Sequence, residues 1–169
     1  RAARLALGLR PGYAMVDTCA AEFAADTPYF YATYAAAGSV PEAPVVARPA
    51  ALVIGSGPVR IGQGIEFDYC AVQAADTLRQ AGWQAVMINS NPETVSTDFD
   101  ASSRLYFEPL DPESVRSVID AESPGSATTN QDLLPAMVAF GGQTPLNLAA
   151  PLAAGGVPLL GSDLEAIDQ

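Results

Sequence analysis

The chain has 169 residues, nearly half of them apolar, and 19 acidic residues against eight arginines give it a net charge of −11. There is no lysine and no histidine, so a phosphate-binding lysine, a Schiff base, the commonest general base and the commonest metal ligand are all excluded. The acidic balance argues against nucleic acid and anionic membrane as partners, and no apolar run approaches the ~20 residues of a membrane span. Cys19 and Cys70 are too few for a zinc site or a disulfide scaffold. They read as reduced thiols of a cytoplasmic protein, with Cys70 packed on a helix face.

The length is that of one domain plus an appendage. The start, "RAARLALGLRPGY", has no initiator Met and is too short and interrupted for a signal peptide, so it reads as a cut inside a longer chain. A short helical stretch (1–9) and a Pro11-Gly12 turn lead into a segment carrying Phe23, Tyr29, Phe30, Tyr31 and Tyr34. These rings have no domain of their own to fill, so they are expected to pack against something larger and to be partly exposed and mobile in this chain alone. The Pro-rich stretch 39–49 is a linker.

From residue 50 a strand–helix rhythm sets in. "ALVIG" is a short apolar run ending in glycine, the pattern of a buried parallel strand. "FDYCAVQAADTLRQAG" places Phe67, Cys70, Ala71, Ala74, Leu78 and Ala81 at helical spacing, with Gly82 as the stop. Further strands are expected at 83–89, 104–110, 136–142 and 157–161. Helices are expected at 111–122, with Asp111 as N-cap and Pro112 at the first helical position, and at 144–156, where Pro151 disturbs the last turn. Residues 123–132 form a polar loop. The alternation implies an α/β fold: a Rossmann-like parallel sheet flanked by helices, preceded by a short helical or irregular segment.

Ligands of such sheets lie outside the carboxyl ends of the strands. Three loops converge there: "GSGPVRIGQGIE", "NSNPETVSTD" and "GGQTP". The first tempts a dinucleotide reading. Gly55 and Gly57 fit that fingerprint, but position 60 is arginine, the next glycine is Gly62, and the second strand ends in Asn89-Ser90-Asn91 instead of an acid. Glu66 and Asp68, in the first helical turn, complement its positive end themselves and would repel a pyrophosphate.

"GSGPVRIGQGIEFDYC", "NSNPETVSTDFD", "RLYFEP" and "GGQTPLNLA", in that order, closely resemble the large chains of glutamine-dependent carbamoyl-phosphate synthases. The resemblance covers nearly the whole sequence. In that family each of two homologous halves opens with a Rossmann-like pre-ATP-grasp domain. The second half, which phosphorylates carbamate, typically carries "RIGQGIEFDY" and "NPETVSTD", and is the better match. The first half has another residue for Arg60, lacks the Gly64-Ile65 pair and differs after Asn91-Pro92. The resemblance implies that 1–49 are the end of an oligomerisation domain and a linker, and that 50–169 are a pre-ATP-grasp domain. It implies an ATP-dependent ligase of arginine and pyrimidine biosynthesis, with ATP and Mg²⁺ or Mn²⁺ bound by an ATP-grasp domain beyond residue 169, none bound here, and no catalytic residue in this segment. The implied partners are the rest of the large chain, a glutamine amidotransferase small subunit or domain, and further copies in a homo-oligomer. Loop 123–132 looks longer and more polar than the family's usual connection, as a tolerated surface insertion would.

Carbamate is unstable in water and must travel an enclosed route between the halves. On the resemblance, Arg60, Gln63, Gly64, Glu66, Asn91, Thr94, Gln143 and Thr144 would line or fix that passage, with Gly64 beside it. Each has a plainer reading. Arg60 pairs with Glu66 or Asp68; Asn91 sets a turn through its own side chain; Gln143 holds the neighbouring loop; Glu93 and Asp98 are solvated loop acids. Gly55, Gly57 and Gly62 serve backbone angles and close strand–helix approach. A stand-alone small-molecule-binding or assembly module without catalysis is the alternative function.

Overall fold

The computed structural model describes all residues except 21, 25, 35–41, 43, 124–131, 163, 168 and 169. Six strands form one sheet: β1 (Gly12–Met15), β2 (Tyr29–Thr33), β3 (Ala50–Ile54), β4 (Gln84–Asn89), β5 (Arg104–Phe107) and β6 (Ala136–Met137). Their spatial order is β1-β2-β5-β4-β3-β6, parallel throughout except for the β1–β2 pair. The helices with most of the packing are α2 (Glu66–Gln80), α3 (Pro112–Ala121) and α5 (Ala149–Ala154); α1 (Ala2–Ala6), α4 (Gln143–Leu146) and α6 (Leu164–Ile167) are single short turns.

Every residue of β3 is buried because it lies between neighbours with both of its faces covered. Ala50, Leu52 and Ile54 point into a layer with Val115, Val118 and Ile119 of α3 and Leu152 of α5. Ala51 and Val53 point the other way, onto Ala71, Ala74, Ala75 and Leu78 of α2. α3 starts where expected: Asp111 Oδ1 accepts the amides of Glu113 and Ser114, both at 2.9 Å, and Pro112 needs no partner at N1.

Several expectations are corrected, among them the strand expected at 104–110, which ends at Phe107. The buried stripe of α2 runs Asp68, Ala71, Ala74, Ala75, Leu78, so Phe67, Cys70 and Ala81 are exposed. Both stripes have helical period, and the sheet selects the one with small residues that let the helix approach closely. The expected strand 136–142 shortens to two residues, and 157–161 reduces to a single bridge between Ala136 and Leu159. The helix expected over 144–156 is two, broken at Asn147-Leu148; Pro151 has no N–H for the Asn147 carbonyl, so the disruption falls before it. Of the polar loop, residues 124–131 lie outside the described residues.

The N-terminal segment is not left waiting for a larger body. β2 extends the parallel sheet beside β5, and β1 pairs back on it in antiparallel register. Tyr13 and Phe30 are buried against Tyr106, with ring centroids 4.9 and 5.8 Å from it. Phe23, Tyr31 and Tyr34 remain exposed. The linker is tied down by Glu122, fully buried at the end of α3. Its carboxylate accepts from Arg104 at 2.5 Å, the Tyr106 hydroxyl at 2.6 Å and the Val46 amide at 2.9 Å. Burial, and then the neighbouring carboxylate, push the Tyr106 hydroxyl far above its ordinary titration range.

Candidate functional site at the carboxyl edge of the sheet

The loops after β3, β4 and β6 meet at one end of the sheet, and glycines set how closely. A Cβ on Gly55 would stand 2.6 Å from Nδ2 of Asn89. One on Gly141 would stand 2.6 Å from the Gly55 carbonyl oxygen, and one on Gly142 2.9 Å from Nε2 of Gln63 and 3.2 Å from the Phe67 ring. Larger residues at 55 and 141 would force the strands' ends apart.

Beneath the loops lies a hydrogen-bonded cluster that sequence reasoning did not assign. Asn89, fully buried at the end of β4, accepts the Gly57 amide at 3.1 Å and the Asn91 amide at 3.2 Å on Oδ1. Its Nδ2 donates to Ser96 Oγ at 2.9 Å and to Asp68 Oδ1 at 3.4 Å. Asp68 also accepts the Ser96 amide at 2.9 Å and the Ser96 hydroxyl at 2.5 Å. Ser96 sits in a short 3-10 turn, Val95–Thr97, that follows the Asn91–Thr94 stretch. No buried side-chain N or O among the described residues lacks a partner. The only sequence signal for this cluster is an asparagine where a dinucleotide site has an acid.

The surface above is open. Arg60, Gly62, Gly64, Glu66 and Gln143 are exposed, while Gln63, Asn91, Thr94 and Thr144 are half-buried. Arg60 forms no ion pair among the described residues, so the expected pairing with Glu66 or Asp68 is not formed, and Asp68 is engaged instead by Ser96 and Asn89. Asn91 does set its own turn, Oδ1 accepting the Glu93 amide at 3.1 Å. The Thr94 amide donates to Thr97 Oγ1 at 3.3 Å, which holds the next turn. The three atoms nearest to where a Cβ on Gly64 would go all belong to the carboxylate of the exposed Glu66. Val59, Ile61 and Ile65 are also exposed on the first loop, with Phe67 and Tyr69 beyond them at the start of α2.

This edge does not suit a dinucleotide phosphate. The Gly57 amide, which a pyrophosphate would need, is given to Asn89, and both carboxylates of the first turn of α2 stand at its positive end.

Residues 47–169 match the family model described as the carbamoyl phosphate synthase preATP-grasp domain. The chain belongs to this family. It is 62% identical over 168 residues to the carbamoyl phosphate synthase large chain of Thermomicrobium roseum, a match covering 99% of this chain and 15% of that one. The large chain of Myxococcus xanthus is 54% identical over all 169 residues, 14% of its own length, and that of Paenarthrobacter aurescens 55% identical over 168, also 14%. The chain thus spans a small part of the curated relatives it matches. The three converging loops belong to the pre-ATP-grasp domain, and the family match begins within the linker that Glu122 anchors. Among the described residues no helix is long and apolar enough to cross a membrane.

Proposed function

We propose that this pre-ATP-grasp domain works within the second, carbamate-phosphorylating half of a carbamoyl phosphate synthase large chain, and that its rim forms part of the wall along which carbamate passes. The parent reaction makes carbamoyl phosphate from bicarbonate, glutamine-derived ammonia and ATP, for arginine and pyrimidine synthesis in the cytoplasm. Its partners are the remainder of the large chain, a glutamine amidotransferase and further copies of the assembly. Residues 1–49 then belong to the end of the oligomerisation domain and its linker, and 50–169 to the domain proper.

The observation that carries this reading is the close meeting of three loops at one edge, Gly141 on Gly55 and Gly142 under Gln63, with polar side chains and an exposed Gly64 above. A pyrophosphate does not fit here, for the reasons given, and this reading assigns ATP and Mg²⁺ or Mn²⁺ to an ATP-grasp domain, with no phosphoryl step running through these residues. The rim's own work is steric and electrostatic. Gly64 contributes space, Arg60, without an ion pair among the described residues, offers its guanidinium to an anion, and Gln63, Asn91, Thr94, Gln143 and Thr144 offer hydrogen bonds in place of water.

The test is Gly64→Phe in a chimaera whose large chain carries residues 1–169 in place of the matching stretch of the Thermomicrobium roseum chain. The three atoms nearest a Cβ at Gly64 all belong to the flexible, exposed carboxylate of Glu66, which must swing aside, so a benzyl group directed outward there should leave the melting temperature nearly unchanged. Bicarbonate-dependent ATP hydrolysis and ATP formation from carbamoyl phosphate should both persist, while overall synthesis is lost. Intact synthesis, or parallel loss of both partial reactions, defeats the passage reading.

A further inference from the structure

Asp68 is 3% exposed, and no arginine pairs with it among the described residues. Burying a carboxylate without a cation is costly unless hydrogen bonds replace its water. The core does not need it: the remainder of the same α2 stripe is mostly alanine, at 71, 74 and 75. What the charge does instead is join two loops. Its oxygens take the amide and hydroxyl of Ser96, which belongs to the loop after β4. Through Asn89 the same cluster takes the Gly57 amide, which belongs to the loop after β3, and the Asn91 amide. The α2 amino terminus adds its positive end.

We propose that Asp68 is the positioning residue of the rim, locking the loops after β3 and β4 into one rigid unit through Ser96 and Asn89. Its catalytic consequence rests on the passage reading: a rim that opens admits water, and carbamate lost to it takes up a proton and splits into ammonia and carbon dioxide. ATP would then be hydrolysed without product.

The variants are Asp68→Asn, the milder Ser96→Ala, and the exchange pair Asp68→Asn with Asn89→Asp, which returns one carboxylate and one amide to the cluster. Hydrogen exchange in the 169-residue chain is read at Gly57, Asn91 and Ser96. Asp68→Asn should accelerate all three by about tenfold or more, since each depends on a charge-assisted network, with the amides of β3 and β4 unchanged. Ser96→Ala should accelerate Gly57, which it does not touch, by a smaller factor. The exchange pair should restore protection. Acceleration confined to 94–97, or spread through the sheet, overturns the proposal, because Asp68 would then hold only its own turn or the fold as a whole. In the chimaera, Asp68→Asn should raise the ATP consumed per carbamoyl phosphate formed, and the exchange pair should reverse it. Loosened loops with unchanged stoichiometry would uphold the positioning role and defeat the passage reading.

Discussion

The loops after β3 and β4 lie side by side and are held in opposite ways. Residues 58–62 and 64–66 of the first are exposed, and its path is set by glycines and by one amide given to Asn89. The second is pinned from below by buried side chains: Asn89, Ser96 and Thr97, with Asp68 reaching across from α2. The rim thus pairs a loop shaped by what its backbone permits with one shaped by what its side chains bond. Substitutions should hurt the two loops unequally, and in a definite order.

The largest effect is expected at the pinned side. Asn89→Ala would strip Asp68, Ser96 and the Gly57 and Asn91 amides of a shared partner, and should cost about 3 kcal/mol in urea unfolding. Next comes Gly55→Ala, where the added methyl meets Asn89 at 2.6 Å; overpacking of this kind costs about 1–3 kcal/mol. Gly62→Ala should cost about 1 kcal/mol, because the position has φ +82° with open space around it, so strain acts alone. Gly64→Ala should lie within about 0.5 kcal/mol of the parent, because the new Cβ displaces only the flexible, exposed carboxylate of Glu66 and not a buried group such as Asn89. A flat series, or Gly64 costing more than Gly55, would erase the contrast.

The smallest effect concerns pH just after β5, the strand beside β4. Burial raises the Glu108 carboxyl above its ordinary value; the Ala32 amide opposes this and Asp111 adds to it. The folded state therefore holds the proton more tightly than the unfolded chain. That contribution is complete below the ordinary glutamate range and is lost as pH rises through the folded value. Glu108→Gln should flatten this part of the pH–stability curve, measured by thermal unfolding between pH 4 and 7, a range chosen around the ordinary carboxyl pKa of about 4.3. A slope unchanged by the substitution would place the titration on another group.

Much of this molecule is legible locally. Asp111 and Pro112 announce α3, the apolar runs at 51–55 and 83–89 announce the inner strands β3 and β4, and the four motifs announce the family. Asn89 in place of an acid, and carboxylates in the first turn of α2, set the rim apart from a dinucleotide site. These are short-range properties: caps, turns and periodicity act within a few residues, so the chain writes them where they occur. Other features needed the assembled sheet. Periodicity allows two stripes on α2, and only contact with Ala51, Val53 and Met87 selects the one with Asp68 over the one with Cys70. The aromatic segment finds its place through pairing of Tyr29 and Phe30 with Leu105 and Tyr106, far away in sequence. Asp68, Asn89 and Ser96 read separately as a helix-end charge, a strand end and a loop serine. They become one cluster because parallel strands bring successive loops to the same edge, and burial there leaves a polar group no partner but its neighbours.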